Sequence, residues 1–273
     1  MTTNWLEQRL RMVNGQLRTS DVTDMSLLAA FVEVPRERFV APALMNLAYV
    51  DQDLPAAGAT DGRRLLAPRT LALLLQAAAT GRGDRALDVA GGSGYSAALL
   101  DHIGASVVSV ESDRGASQFA REALAGRAGI RIVEGDLAAG ARAEGPFDVI
   151  LVNGAFETMP SALLDQLAIG GRLVGVDART SSPRGVIVDK AAAGFSERSL
   201  FDAKADVLEA FRRAPGFVFW IRRPVVRGSR PRDIAEISMT MCRKFATLHR
   251  NLAVVAAQRW RNGGAPRVVR YKN

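Results

Sequence analysis

Cysteine is all but missing from this 273-residue chain. Cys242 stands alone, which excludes an internal disulfide framework and any zinc site built on cysteines. Histidine is nearly as scarce: His102 and His249 are the only two, neither falls inside a motif, and no metal site is expected. No apolar run reaches the roughly eighteen residues that a membrane-spanning helix needs. The opening Met1-Thr2-Thr3-Asn4-Trp5-Leu6-Glu7 lacks the basic and apolar stretches of an export signal, so a cytoplasmic protein is expected. Lysine is rare too, with four residues among 36 basic ones, and arginine carries the positive charge.

What is present suffices for a large core. Hydrophobic residues make up 48% of the chain, and its length allows one large domain or two small ones. The net charge of +8 hides an asymmetry. Residues 222–273 hold 13 basic and 2 acidic side chains, while residues 1–221 carry a net −3. The positive excess therefore belongs to the C-terminal stretch.

Three segments follow from the patterning: 1–80, 81–221 and 222–273. In the first, Trp5, Leu6, Leu10, Val13 and Leu17 recur at helical spacing. Asp21-Val22-Thr23-Asp24 offers an N-cap for a helix from Met25 to Val32, and Pro35 ends it. Ala48–Pro55 reads as extended, residues 56–64 as a polar loop, and Pro68 as the start of a helix reaching Ala79.

From residue 81 strands and helices alternate. The strands are predicted at Ala86–Ala90, Ser106–Glu111, Ile130–Val133, Phe147–Val152 and Arg172–Val176, and the helices at Tyr95–Ile103, Arg114–Ala125 and Ser161–Leu167. This predicts an α/β fold with a doubly wound, Rossmann-like, mostly parallel sheet, an N-terminal helical segment and a basic C-terminal extension. Gly185–Asp189, Ser199–Phe201 and Phe217–Ile221 read as further strands. Beyond Trp220 a basic, proline-punctuated linker leads to residues 233–260, whose Ile234, Ile237, Met241, Phe245, Leu248, Leu252 and Val255 suit one amphipathic helix. Such a basic helix docks on anionic lipid, on nucleic acid or on a partner's acidic groove, or is a solvated extension.

The chemistry gathers at strand ends. Asp88-Val89-Ala90-Gly91-Gly92-Ser93-Gly94-Tyr95 is a strand, a small-residue turn and a helix start, the arrangement that offers backbone N–H groups and a positive helix end to a nucleotide-like ligand. It is equally the form of a tight turn with no ligand. Glu111, 23 positions after Asp88, stands where an acceptor-only carboxylate suits a ribose diol, or is a solvated acid. Asp136, after the third strand, is either an acceptor for an exocyclic amine or a turn residue. Arg36 and Glu37 are an exposed pair or part of a substrate-side wall, and Tyr49 and Asp51 would line the same cleft.

These motifs, with Pro146-Phe147-Asp148-Val149-Ile150 and the run Pro160–Leu167 before Gly170-Gly171-Arg172-Leu173-Val174, resemble those of class I S-adenosylmethionine-dependent methyltransferases. Met12-Val13-x-x-Gln16-Leu17-Arg18, Val34-Pro35-Arg36-Glu37-x-Phe39-Val40 and Ala48-Tyr49-x-Asp51 narrow the likeness to protein-L-isoaspartate O-methyltransferases, over residues 9 to about 221. The resemblance implies S-adenosylmethionine as cofactor and a protein or peptide with isoaspartyl residues as substrate. It also implies Asp88, Ala90, Gly91, Gly92, Ser93, Gly94, Glu111 and Asp136 as cofactor-binding residues.

Two departures accompany it. Ala90 stands at the first glycine of the family turn, where a methyl group is tolerable if φ is negative. Leu66, in Arg64-Leu65-Leu66-Ala67-Pro68, stands where the family carries a serine implicated in catalysis. Losing a hydroxyl that touches a charged substrate group forfeits about 1.5–3 kcal/mol, and no catalytic residue is assigned. A carboxylate acceptor, ionised at neutral pH, needs no general base. A related methyltransferase with a different acceptor and a non-catalytic S-adenosylmethionine-binding protein remain alternatives on sequence grounds.

Overall fold

Asn4 opens the first helix, α1 (Trp5–Met12), by accepting from the Glu7 N–H at 3.2 Å. The computed structural model describes residues 4–214; the strand expected at 217–221 and the amphipathic helix expected at 233–260 lie outside them. A π turn (Val13–Leu17) and a 3₁₀ turn (Arg18–Ser20) follow α1. Helix α2 (Met25–Glu33) is capped as expected: Asp24 Oδ1 accepts from the N–H groups of Ser26 and Leu27 at 2.9 and 3.1 Å.

The extended reading of Ala48–Pro55 holds only for its last two residues. Strand β1 (Leu54–Pro55) pairs antiparallel with β2 (Arg64–Leu65). The preceding residues turn instead, with Val50 N donating to Leu47 O and Gln52 N to Val50 O. The cause is polar. Asp51 and Asp53 accept from the N–H groups of Arg69 and Ala67 at 3.0 and 2.7 Å, capping helix α3 (Pro68–Ala78), whose own N-cap, Ala67, has no side-chain acceptor.

Seven strands form the main sheet in the order β5-β4-β3-β6-β7-β8-β9. They are β3 (Arg85–Val89), β4 (Ser106–Glu111), β5 (Ile130–Glu134), β6 (Phe147–Phe156), β7 (Leu167–Asp177), β8 (Arg184–Ala191) and β9 (Gly194–Asp202). Helices α4 (Tyr95–Ile103), α5 (Arg114–Ala123) and α6 (Ser161–Leu164) connect them. Pairing is parallel from β5 through β7, and antiparallel for β7–β8 and β8–β9.

Strand β6 runs past Val152 because a register shift between Leu151 and Ala155 absorbs Asn153-Gly154. Strand β7 begins at Leu167, which pairs with Phe147, so the helix expected to reach Leu167 ends at Leu164. One face of the sheet packs α2, α3 and α4 around Phe31, Leu74, Leu99 and Val149; the other gathers Leu87, Phe147, Ile150 and Leu163. Among the described residues no helix is long and apolar enough to cross a membrane, and no acidic, histidine or cysteine cluster has metal-holding geometry.

Candidate functional site

Strand β3 lies between β4 and β6, so the sheet reverses its winding there and its carboxyl end opens the crevice where α/β sheets hold ligands. The turn at that end is built by crowding. A Cβ on Gly91 would lie 2.2 Å from Asp88 Oδ2 and 2.7 Å from Ser109 Oγ, and one on Gly94 would lie 2.7 Å from Leu124 Cδ1. Gly92 and Gly94 have φ of +59° and +94°, and so, at +59°, does Ala90. The negative φ that would make an alanine easy at this position is therefore not found. Ala90 holds a left-handed conformation at a cost of about 1–2 kcal/mol, and its N–H donates to Val110 O at 2.9 Å. Ser93 is buried, and its Oγ donates to Phe39 O at 2.6 Å, which fastens the turn to the N-terminal segment.

Asp88 lies wholly buried beneath this turn. Its carboxylate accepts from Asn153 Nδ2 at 2.7 Å and from Ser109 Oγ at 3.0 Å. Burial pushes its carboxyl pKa up, and those hydrogen bonds pull against the shift. Three neighbouring strands, β3, β4 and β6, are thus tied together under the glycines. Sequence reasoning missed Asn153. Its signal was a single amide in the apolar run Val149–Phe156.

Glu111, 1% exposed, reaches back from the end of β4. Oε2 accepts from Gly92 N at 2.9 Å, and Oε1 from Ser112 N and Asp113 N at 2.7 and 2.9 Å. Burial pushes its carboxyl up, opposed by Arg63, whose Nη1 stands 2.7 Å from Oε1, and by those three N–H groups. Asp136 is exposed at the end of β5 and accepts from Ala138 N at 2.9 Å. The structure thus gathers Asp88, Gly91, Gly92 and Glu111 at one corner, with Glu111 hydrogen-bonded to Gly92, Asp88 buried beneath the turn and Asp136 at the adjacent strand end.

The loop between β1 and β2 closes over this corner as a strap. Gly58 and Gly115 let it touch the first turn of α5: a Cβ on Gly58 would lie 2.6 Å from Gly115 O, and one on Gly115 would lie 2.2 Å from Gly58 O. Asp113 Oδ2 accepts from Thr60 N, Thr60 Oγ1 and Asp61 N at 2.7, 2.6 and 3.0 Å, while Oδ1 caps α5 through Ala116 N at 2.8 Å. Burial alone would raise the Asp113 carboxyl, but these bonds outweigh it and hold its pKa at about 2. Neither the strap nor its clamp was visible in the sequence, because each joins residues about fifty positions apart.

Arg36 and Glu37 are not an exposed pair. Arg36 is wholly buried, donating from Nε to Ala48 O and from Nη2 to Leu66 O, both at 2.9 Å, with its guanidinium 4.9 Å from the centre of the Tyr95 ring. Glu37 instead meets Arg9 at 3.1 Å and receives the Tyr49 hydroxyl. Leu66 turns its side chain into the core, and its carbonyl is the part Arg36 uses. Beside it a cavity of about 770 Å³ opens, lined by Asp51, Asp53, Arg64, Ala67, Lys204 and Asp206 among others. Asp51 reaches this cleft; Tyr49 is turned away from it to Glu37.

A sequence model described as protein-L-isoaspartate(D-aspartate) O-methyltransferase matches residues 8–198. A protein-L-isoaspartate O-methyltransferase of Methanoculleus marisnigri is 40% identical over 169 residues, which are 61% of this chain and 76% of that protein. One of Gloeobacter violaceus is 36% identical over 196 residues, 71% of this chain and 94% of that protein. A solved protein-L-isoaspartate O-methyltransferase superposes with a TM-score of 0.65 at 24% identity, over 73% of this chain and 65% of its own. A Plasmodium falciparum protein of similar description, in complex with S-adenosyl-L-homocysteine, does so with a TM-score of 0.64 at 19% identity, over 77% of this chain and 100% of its own. At these identities the two structures speak for the fold.

Proposed function

The chain belongs to the protein-L-isoaspartate(D-aspartate) O-methyltransferase family, and from that membership we propose that the corner at Ala90–Gly94 holds S-adenosylmethionine while the free carboxyl of an isoaspartyl residue is methylated. The observation that carries this reading is Glu111. It is a buried carboxylate at the end of β4, bonded to the Gly92 N–H of the glycine turn and placed at the winding reversal of the sheet.

The residues present fit such a group. Gly91, Gly92 and Gly94 leave much of the turn's backbone without side chains, which suits a close backbone approach, and an acceptor-only carboxylate suits a ribose diol. In this reading Gly91, Gly92 and Gly94 supply the backbone cradle. Glu111 receives the ribose hydroxyls, Asp136 stands at the edge for the adenine amine, and Asp88, Ala90 and Ser93 hold the turn in shape from beneath.

When bound, S-adenosylmethionine supplies an electrophilic methyl group on a sulfonium. The acceptor carboxylate, with an ordinary pKa near 4, is ionised at neutral pH and needs no base. What remains for the chain is to bring the acceptor oxygen into line and to exclude water. Within the described part, residues 4–80 supply most of the acceptor side, with the cavity beside Ala67 admitting the peptide, and residues 81–214 supply most of the cofactor side. The basic residues 222–273 lie outside the described part, and no nucleic-acid, lipid or protein partner is assigned to them.

Two measurements test the reading: methyl transfer to an isoaspartyl peptide, and calorimetry with S-adenosylhomocysteine. Glu111→Ala is expected to weaken binding about ten- to a hundredfold, the equivalent of about 1.5–3 kcal/mol for hydrogen bonds to a charged group. Unchanged affinity in that variant would overturn the assignment of Glu111.

A further inference from the structure

Glu111 is claimed twice. A carboxylate offers about four acceptor positions. The N–H groups of Ser112 and Asp113 take both positions on Oε1 and that of Gly92 takes one on Oε2, and Arg63 Nη1 presses on Oε1 as an ion pair at 2.7 Å, leaving the carboxylate 1% exposed. Arg63 reaches this place from the end of the strap, where Ala56 N donates to Arg63 O at 2.9 Å and closes the hairpin. Its side chain is only 7% exposed. Nη2 meets Asp61 Oδ2 at 2.8 Å and Ser112 Oγ at 3.2 Å. The strap also covers the glycine turn itself: a Cβ on Gly92 would come within 3.1 Å of Ala56 Cβ and 4.0 Å of Arg63 Cδ.

We infer that Arg63 is a latch on the cofactor site, its guanidinium laid from the end of the strap onto Glu111 so that the ribose of S-adenosylmethionine and the Arg63 guanidinium compete for one carboxylate. This rests on the reading of Glu111 as the ribose acceptor.

The latch is built to release. Arg63 Nε is buried with no hydrogen-bond partner, and Nη1 meets Glu111 as an ion pair without hydrogen-bond alignment. The two donors unmet here are satisfied in water, which offsets part of what the guanidinium gives up on leaving Glu111. The rest of the strap stays anchored at Asp113 and at the Gly58–Gly115 contact. Arg63 can therefore leave by rotation of its own side chain and a local shift at residues 61–63, without undocking the hairpin.

The consequence is a cost on cofactor capture. If the latch is closed nine times in ten, the apparent dissociation constant is about tenfold weaker than the intrinsic one. Titration calorimetry with S-adenosylhomocysteine on the full-length wild type, Arg63→Ala and Asp61→Asn tests this, with association rates read by stopped flow. Arg63→Ala is expected to bind about tenfold tighter and to associate faster. Asp61→Asn, which loosens one pin and leaves Arg63 in place, should move both quantities the same way by less, and it carries the test if Arg63→Ala does not fold. Equal or weaker affinity in the variants, while the wild type binds, would overturn the latch and leave the cofactor reading standing. No binding by any of the three proteins would overturn that reading and the latch with it.

Discussion

Asp113 offers the sharpest test of how the strap is held. Its carboxylate accepts from Thr60 twice and from Asp61, besides capping α5 through Ala116. Together these bonds overcome the upward push of burial and lower its pKa from the ordinary 3.8 to about 2. The folded-state value lies below the unfolded one, so the ionised carboxylate stabilises the fold fully at neutral pH, and this stabilisation is lost as pH falls from about 4 to 2. The difference corresponds to about 2 kcal/mol at pH 7, about 1 kcal/mol at pH 3 and under about 0.5 kcal/mol at pH 2. Asp113→Asn keeps one oxygen for α5 but turns an NH₂ group toward the donors of Thr60 or Asp61. Urea unfolding of wild type and variant, followed by circular dichroism at pH 7, 4 and 3, should show the variant weaker by about 2–3 kcal/mol at pH 7. The gap should shrink as pH drops. A constant gap across that range, or none at pH 7, would refute the reasoning that the clamp works through charge-assisted hydrogen bonds.

Three further outcomes are expected. Asn153→Ala strips Asp88 Oδ1 of its partner in a wholly buried place and should destabilise by about 2–4 kcal/mol in urea unfolding; a loss below about 1 kcal/mol would mean that Asp88 is satisfied otherwise. Leu66→Ser removes a core side chain and should cost about 2–4 kcal/mol with no gain in methyl transfer to an isoaspartyl peptide, since the new hydroxyl points into the core; a clear gain in turnover would refute that placement. Ala90→Gly relieves a left-handed alanine, worth about 1–2 kcal/mol. It gives up a buried methyl worth about 0.8 kcal/mol and adds unfolded-chain freedom worth about 0.5–1 kcal/mol. The melting temperature should move little, and a fall equivalent to more than about 2 kcal/mol would show that the strain estimate is wrong.

The sequence by itself determined whatever depends on near neighbours along the chain. The Asp24 cap, β4 at Ser106–Glu111 and α4 at Tyr95–Ile103 fall where the local pattern puts them, because caps and periodicity are settled within a few residues. The alternation of strands and helices was enough for the parallel sheet, and the succession of motifs enough for the family. Only the tertiary structure decided what lies across the fold. It turned Arg36 inward to carry the carbonyls of Ala48 and Leu66, brought Asn153 under Asp88, and pulled Asp51 and Asp53 from an expected strand into caps for α3. It also laid the strap on Asp113 and placed Arg63 against Glu111. A hydrogen bond between residues tens of positions apart leaves no periodic trace in the sequence. Whether an arginine is a solvated surface charge or a buried latch is set by what the other end of the chain brings to meet it.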